Sequence, residues 1–453
     1  MDIILKIVGI FLSLGMLGVA YMVRRFSGSW QAPASLYAVA WFLFTFIPLI
    51  ALPGVPVNPL AVGYILLTCV AFALPVLGTA WREIPFASEP LGESEFDRPF
   101  LRYVFYLFAG LTIVSLVLST LAQGVSLSSL MSNFFQVSNS LIADRYNQST
   151  TTTIFSQVSN VASYVTVGLA GLVYPGYRSG WARLRILTIA MAPSLIVMTV
   201  FGAKGMIFLC IAMFYAGTLV RRSRDGDYRL MDRGTVTKAM IAAAILLPFV
   251  AISVIARGLY EAGGAGAMAD GLYRYFVSYS CAHLYAFSDW FSWYVGMDAA
   301  QIYAKDGPTG GFYTFMSLFQ LAGSDKQVPP GVYDEYFQYS WYLQTNIYTM
   351  FRGLILDYTL IGSLVFSSVL GFVSNQCYVA MVRSKTATWS IAFYLVFAGF
   401  IYTSFIISLL IWNSMYPVFV ILGAVLLKNR DGAAAERRRQ TSATLVTRTQ
   451  AAA

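Results

Sequence analysis

The stretch that decides the fold is TNIYTMFRGLILDYTLIGSLVFSSVLG, Thr345 to Gly371. It reads as the start of a membrane span with two charges, Arg352 and Asp357, at its head. A charged side chain at the bilayer centre costs about 2.5–3.5 kcal/mol on insertion scales, so a chain that keeps two there usually uses them. Outward from this stretch the same apolar texture continues in both directions. The chain has 453 residues, 58% of them hydrophobic and only 11% charged, where a soluble protein is about a quarter charged. Apolar runs long enough to cross a bilayer recur along nearly the whole length, which makes this an all-α, polytopic membrane protein.

The spacing predicts eleven spans (twelve is the next count), at about residues 3–23, 33–52, 60–80, 101–122, 153–175, 185–201, 205–220, 239–256, 353–379, 389–410 and 412–427. The net charge of +9 would suggest nucleic acid in a soluble chain. Here, however, 22 of the 30 Lys and Arg residues fall in alternate short loops and the tail. That bias orients helices in a membrane and places the N-terminus outside, the C-terminus inside. No basic stretch forms a soluble nucleic-acid module. The first apolar run is too long for a cleaved signal and is followed, not preceded, by Arg24 and Arg25. Of four cysteines, Cys69, Cys210 and Cys377 fall in predicted spans and only Cys281 in a large loop, so no disulfide framework is expected. With one histidine and no Cys/His cluster, no metal and no cofactor are expected.

Four parts follow: an eight-span bundle over 1–256, a large outer loop over 257–351, a three-span bundle over 352–428, and a disordered cytoplasmic tail over 429–453. Residues 127–142 place Leu127, Leu130, Met131, Phe134, Phe135, Leu141 and Ile142 at helical spacing, as in a helix lying on the outer interface. The outer loop holds 24 aromatic residues and eight carboxylates. Helical pieces are predicted at about 272–295 and 312–322. The first is apolar enough to be taken for a span. If it crossed alone the basic tail would change sides, so it is read as re-entrant or interfacial and packed against protein.

Three predicted helix ends on the outer side each carry a cation: Lys204, Arg257 and Arg352, with Arg274 in the loop nearby. At one membrane depth they suit a phosphorylated lipid headgroup; the bland alternative is basic side chains snorkelling to a boundary. His283 sits among aromatics in SYSCAHLYAFSDWFSWY. It is either a packed, hydrogen-bonded histidine or a general base facing a sugar hydroxyl. Asp289 or Glu261 would take the base role otherwise. An aromatic, acidic loop suits carbohydrate better than an ion or an apolar solute.

The layout resembles the Wzy-type oligosaccharide repeat-unit polymerases, which build O-antigen, capsule and exopolysaccharide in bacterial inner membranes. The motif match is Asn346-Ile347-Tyr348-Thr349, then Asp357-Tyr358, then Gly362 and Gly371, similar to the family's Asn-x-Tyr-Thr, Asp-Phe-Gly and Gly pattern. Gly310-Gly311-Phe312-Tyr313-Thr314-Phe315 resembles its Gly-rich loop stretch, and Phe201-Gly202-Ala203-Lys204 stands where the family often carries Gly-Ser-Arg. Lys204 in place of arginine removes a bidentate grip on phosphate, and Tyr358-Thr359 replaces Phe-Gly.

The resemblance implies a glycosyltransferase at the periplasmic face that joins undecaprenyl-diphosphate-linked oligosaccharides without nucleotide sugar. A flippase and a chain-length regulator would be its partners. His283 and Asp289 are then the catalytic candidates, and Lys204, Arg257, Arg274 and Arg352 the diphosphate-binding ones. Asn346, Tyr348 and Asp357 support the glycan or the local fold, Asp357 by holding a basic residue or a helix end. The rival readings are an O-antigen ligase, which needs the same diphosphate site, and a secondary transporter, which would show internal symmetry and paired broken helices.

Overall fold

A computed structural model describes residues 2–84, 95–146, 153–259, 264–298, 301, 303, 307–326, 333–384 and 387–432. The chain is an all-α polytopic membrane protein. Among the described residues eight helices are long and apolar enough to cross a bilayer. They are α1 (Asp2–Ser27), α2 (Pro33–Ala51), α3 (Pro59–Leu77), α4 (Pro99–Ala122), α8 (Gly180–Phe201), α9 (Lys204–Arg224), α10 (Arg233–Ile255) and α13 (Thr349–Arg383). Three further helices, α7 (Ile154–Val173), α14 (Thr388–Thr403) and α15 (415–432), stand at the other three predicted spans. The tail beyond 432 lies outside the described residues, as do Glu261 and the loop at 85–94.

Local chemistry sets the helix ends. Pro33, Pro59 and Pro99 open α2, α3 and α4, where a missing N–H costs nothing. Asn58, Thr153 and Asp232 cap α3, α7 and α10 by accepting a backbone N–H. Basic residues close α1 and α9. Helices α1, α2, α3 and α13 pack together on one side, and α4, α7, α9 and α14 on the other. At Gly371 the α13 backbone lies against the carbonyl of Phe72, an approach that any β-carbon would block.

The two ends of the bundle differ. At one end, called the basic end, Gln31 donates to the carbonyls of Asp227 and Arg229, Arg221 grips Asp97, and Arg98 reaches the Asn429 carbonyl. At the other, the loop end, Lys6 reaches Leu52 and Val55, Tyr339 reaches Gly54, and the amide of Met350 reaches the Ser404 carbonyl. In these contacts, among the described residues, loops predicted on one side meet each other.

The interfacial helix predicted over 127–142 is two helices, α5 (Leu127–Ser132) and α6 (Phe134–Tyr146). Met131 and Phe135 are exposed, while Leu141 and Ile142 are buried. The first predicted loop helix is longer than expected: α11 spans Ala265–Gly296, about 48 Å of helix. Tyr279 meets Arg257, Tyr285 meets Pro48 and Leu52, and Ser288 meets the Asn58 amide. All these partners belong to the loop end, so α11 lies across that end and does not traverse the bundle. Helix α12 (Phe312–Leu321) matches its expected place. A short antiparallel hairpin, β1 (Phe337–Ser340) and β2 (Leu343–Thr345), was not foreseen from the sequence. It docks on α11, where the Gln344 amide donates to Ser278 Oγ.

Candidate functional site

The opening stretch folds as a broken helix. Inside α13, Thr359 takes φ 66° and ψ 179°, a region that disfavours any side chain. The break frees backbone carbonyls upstream, and the loop before α12 occupies them. Tyr303 donates to Ile355 O (2.9 Å), Thr309 N–H to Leu356 O (3.2 Å) and Gly310 N–H to Asp357 O (3.2 Å). Non-helical backbone within a span is tolerated where protein satisfies it in this way.

Asp357, buried, completes the junction. One carboxylate oxygen accepts from the Thr309 hydroxyl and Tyr313 N–H (2.9 Å), the other from Thr314 N–H (2.7 Å) and Oγ1 (2.6 Å). Tyr313 and Thr314 open α12, so Asp357 caps a helix remote from it in sequence. Its charge is spent on structure.

Arg352, only 6% exposed, is held differently. Its guanidinium carbon stands 4.1 Å from the Tyr333 ring, 4.3 Å from Tyr348 and 5.4 Å from Trp290. One terminal nitrogen pairs with Glu335, whose side chain is 67% exposed. Nε and Nη1 are buried and have no hydrogen-bond partner among the described residues. Burial pushes the Tyr333 and Tyr348 hydroxyls up, with Arg352 opposing, so both remain protonated. Asp289, exposed on α11 beside Trp290, lies within electrostatic reach of Tyr348. Asn346 is half-buried just ahead, between β2 and α13.

Lys204 and Arg257 form a second cluster. Arg257 donates to Tyr279 Oη (2.6 Å) and Gly202 O (3.0 Å), tying the end of α10 to the α8–α9 turn. Lys204 Nζ lies 4.5 Å from the Tyr279 ring and 5.6 Å from Tyr275. Gly202 makes that turn at φ 66°. Arg274, exposed, donates to Gln344 Oε1 (2.6 Å). The expectation of one cradle for Lys204, Arg257 and Arg352 needs correction: Tyr279 and Trp290 are 11 residues apart on α11, about 16 Å along its axis. The cations form two sites, one against the middle of this helix and one toward its C-terminal end.

His283 also departs from the base reading. It is 2% exposed, edge-on to Phe44 and Phe405, and its Nε2 is 2.8 Å from the Phe44 carbonyl. Burial pushes the imidazole down to about 4, with the carbonyl opposing, so it is neutral and shut away from any substrate hydroxyl. Of the two catalytic candidates, Asp289 alone faces solvent.

Lys6 is absent from the sequence-derived set. It is buried near the start of α1 and donates to Leu52 O, Val55 O and Tyr285 Oη, all at 2.7 Å. The signal for it is a lone cation in an apolar run. Among the described residues no group of three or more His, Cys, Asp or Glu side chains is placed to hold a metal. No family model, no curated protein and no solved structure matches this chain.

Proposed function

We propose that the chain is a membrane glycosyltransferase that joins lipid-diphosphate-linked oligosaccharide repeat units, working at the loop end of the bundle. In this reading the loop end faces the periplasm of a bacterial inner membrane, and the lipid is undecaprenol. The observation that carries it is Arg352: a buried cation at the head of a span, walled by three aromatic rings, with two nitrogens unpartnered among the described residues and one exposed counter-ion. A diphosphate anchored in the bilayer presents its oxygens at this level, and guanidinium suits them. Aromatic faces beside it suit the apolar faces of sugar rings. The exposed Glu335 is displaced at little cost when a stronger anion arrives.

The chemistry then follows from the positions. The acceptor hydroxyl attacks the donor's anomeric carbon as the bond from that carbon to the diphosphate oxygen breaks. Asp289 takes the hydroxyl proton, and Arg352 stabilises the charge left on the departing diphosphate. No nucleotide enters.

The test uses purified full-length chain in nanodiscs, supplied with lipid-linked repeat units alone. A ladder of products is expected without nucleotide sugar. Asp289→Asn should lower the rate roughly 10²–10⁴-fold, the usual share of a general base, with repeat-unit binding unchanged. Wild-type protein that binds the repeat units and never extends them would overturn the reading.

A further inference from the structure

The basic end holds two kinds of arginine. On α9 and the segment after it they are paired: Arg221 with Asp97, Arg224 with Glu95 at 3.6 Å, Arg222 and Arg229 with Asp227. Between α4 and α8, three have no ion pair to a carboxylate among the described residues. Arg102 lies 4.9 Å from the Tyr177 ring, and its buried Nε has no hydrogen-bond partner among the described residues. Arg183 donates to the carbonyls of Tyr177 (2.6 Å) and Pro175 (3.4 Å). Arg185 donates to Tyr106 Oη (3.0 Å). Asp97 lies against Gly176 close by, yet both its oxygens are taken by Arg221.

Three cations converging with no carboxylate on them among the described residues are costly unless an anion joins them. Their surroundings say which anion. Tyr103, Tyr106 and Trp181 are exposed on the outer faces of α4 and α8, the ring types that settle at headgroup level. Leu107 and Leu184 continue the same faces as exposed apolar surface toward the bilayer interior. A site with cations at headgroup level and apolar walls below fits a charged headgroup with its acyl chains attached. We infer that Arg102, Arg183 and Arg185 bind the phosphodiester headgroup of an anionic membrane lipid in the groove between α4 and α8. Tyr106 and Tyr177 set the guanidinium planes. This site is at the opposite end of the bundle from Arg352 and does not depend on the proposed reaction.

The experiment places the full chain in nanodiscs of phosphatidylcholine, with or without phosphatidylglycerol. Native mass spectrometry counts retained lipid, and thermal unfolding reports protection. Wild type should retain phosphatidylglycerol and melt higher with it. The triple variant Arg102→Gln, Arg183→Gln, Arg185→Gln should bind it roughly a hundredfold more weakly, at about fivefold per basic residue. The matched triple Arg24→Gln, Arg25→Gln, Arg233→Gln, at the same end but outside the groove, should bind as wild type does. Equal loss in both triples would mean that only the overall positive field attracts lipid, and would overturn the site. Full protection by inorganic phosphate alone would overturn the lipid assignment. Should the first triple fail to fold, the exposed Arg185→Gln alone must still lose about fivefold, and wild-type binding there would equally overturn it.

Discussion

Two buried arginines, Arg221 at 8% exposure and Arg352 at 6%, are equally withdrawn from water and held in opposite ways. Arg221 commits both terminal nitrogens to Asp97, at 2.9 and 2.7 Å. Arg352 meets three aromatic rings and a single, largely exposed carboxylate, and among the described residues its Nε and Nη1 have no hydrogen-bond partner, against Nε alone in Arg221. A bidentate pair neutralises its charge and fixes a joint between elements. A cation stabilised mainly by ring faces keeps donors in reserve, because a π-face attracts the charge without consuming N–H groups. Burial alone therefore does not separate these two arginines. The chemistry of what holds each one does.

The sharpest way to break that comparison is to remove each side chain. Arg352→Ala should cost roughly 10²–10³ in polymerising rate, the usual loss when one preorganised donor to a developing anion is deleted. Folded yield should stay near wild type. Arg221→Ala should leave the rate per folded molecule unchanged and lower stability by about 1–3 kcal/mol, because Asp97 loses its charged hydrogen bonds. Rates on lipid-linked repeat units and thermal unfolding of both variants check this together. Should Arg352→Ala lose stability and keep its rate, the two arginines are alike and the diphosphate site must move to Lys204 and Arg257.

Asp357 sharpens the same point within one helix, five residues from Arg352. Its carboxylate accepts four hydrogen bonds and keeps none for a substrate. It should behave as Arg221 does. Asp357→Ala leaves the first N–H groups of α12 without their acceptor, at about 1–3 kcal/mol. Activity should fall only in step with the folded fraction. A variant that melts as wild type does and is inactive would assign Asp357 to the chemistry.

Much of this was legible in the sequence, and the reasons divide by range of interaction. Spans were legible because each carries its own apolar run. All eleven predicted positions hold a helix. The positions of Arg352 and Asp357 at the head of a span were equally local. The partner of each was not. Asp357 binds Thr309 and Thr314, and Arg352 binds Trp290 and Tyr333, across loops whose path no periodicity describes. The separation of Lys204 from Arg352 depends on α11 lying across the bundle, a property of packing. His283 shows the same limit: a polar residue among aromatics reads alike whether the aromatics line a cleft or a core. The hairpin was missed because FQYS and LQT are too short for their alternation to show.

The smallest expected effect concerns the break in α13. Thr359 holds φ 66° and ψ 179°, and it stands where the resembled family pattern carries glycine after its aspartate and aromatic residue. A β-branched residue there is strained by about 1–3 kcal/mol, while glycine enters this region freely. Thr359→Gly removes that strain and adds chain entropy to the unfolded state, which costs about 0.4–1 kcal/mol. The net should be a stabilisation of roughly 1 kcal/mol, visible as a higher melting temperature with the rate unchanged. Thr359→Ala keeps a β-carbon in the same backbone conformation and should gain less. If both substitutions destabilise equally, the break is maintained by contacts of the threonine side chain. If glycine alone stabilises, the break follows from the backbone: Tyr303, Thr309 and Gly310 hold the carbonyls of residues 355–357, and residue 359 only has to accommodate the turn. In that second case the loop before α12 dictates where α13 bends, and through that bend it places Arg352 against its aromatic wall.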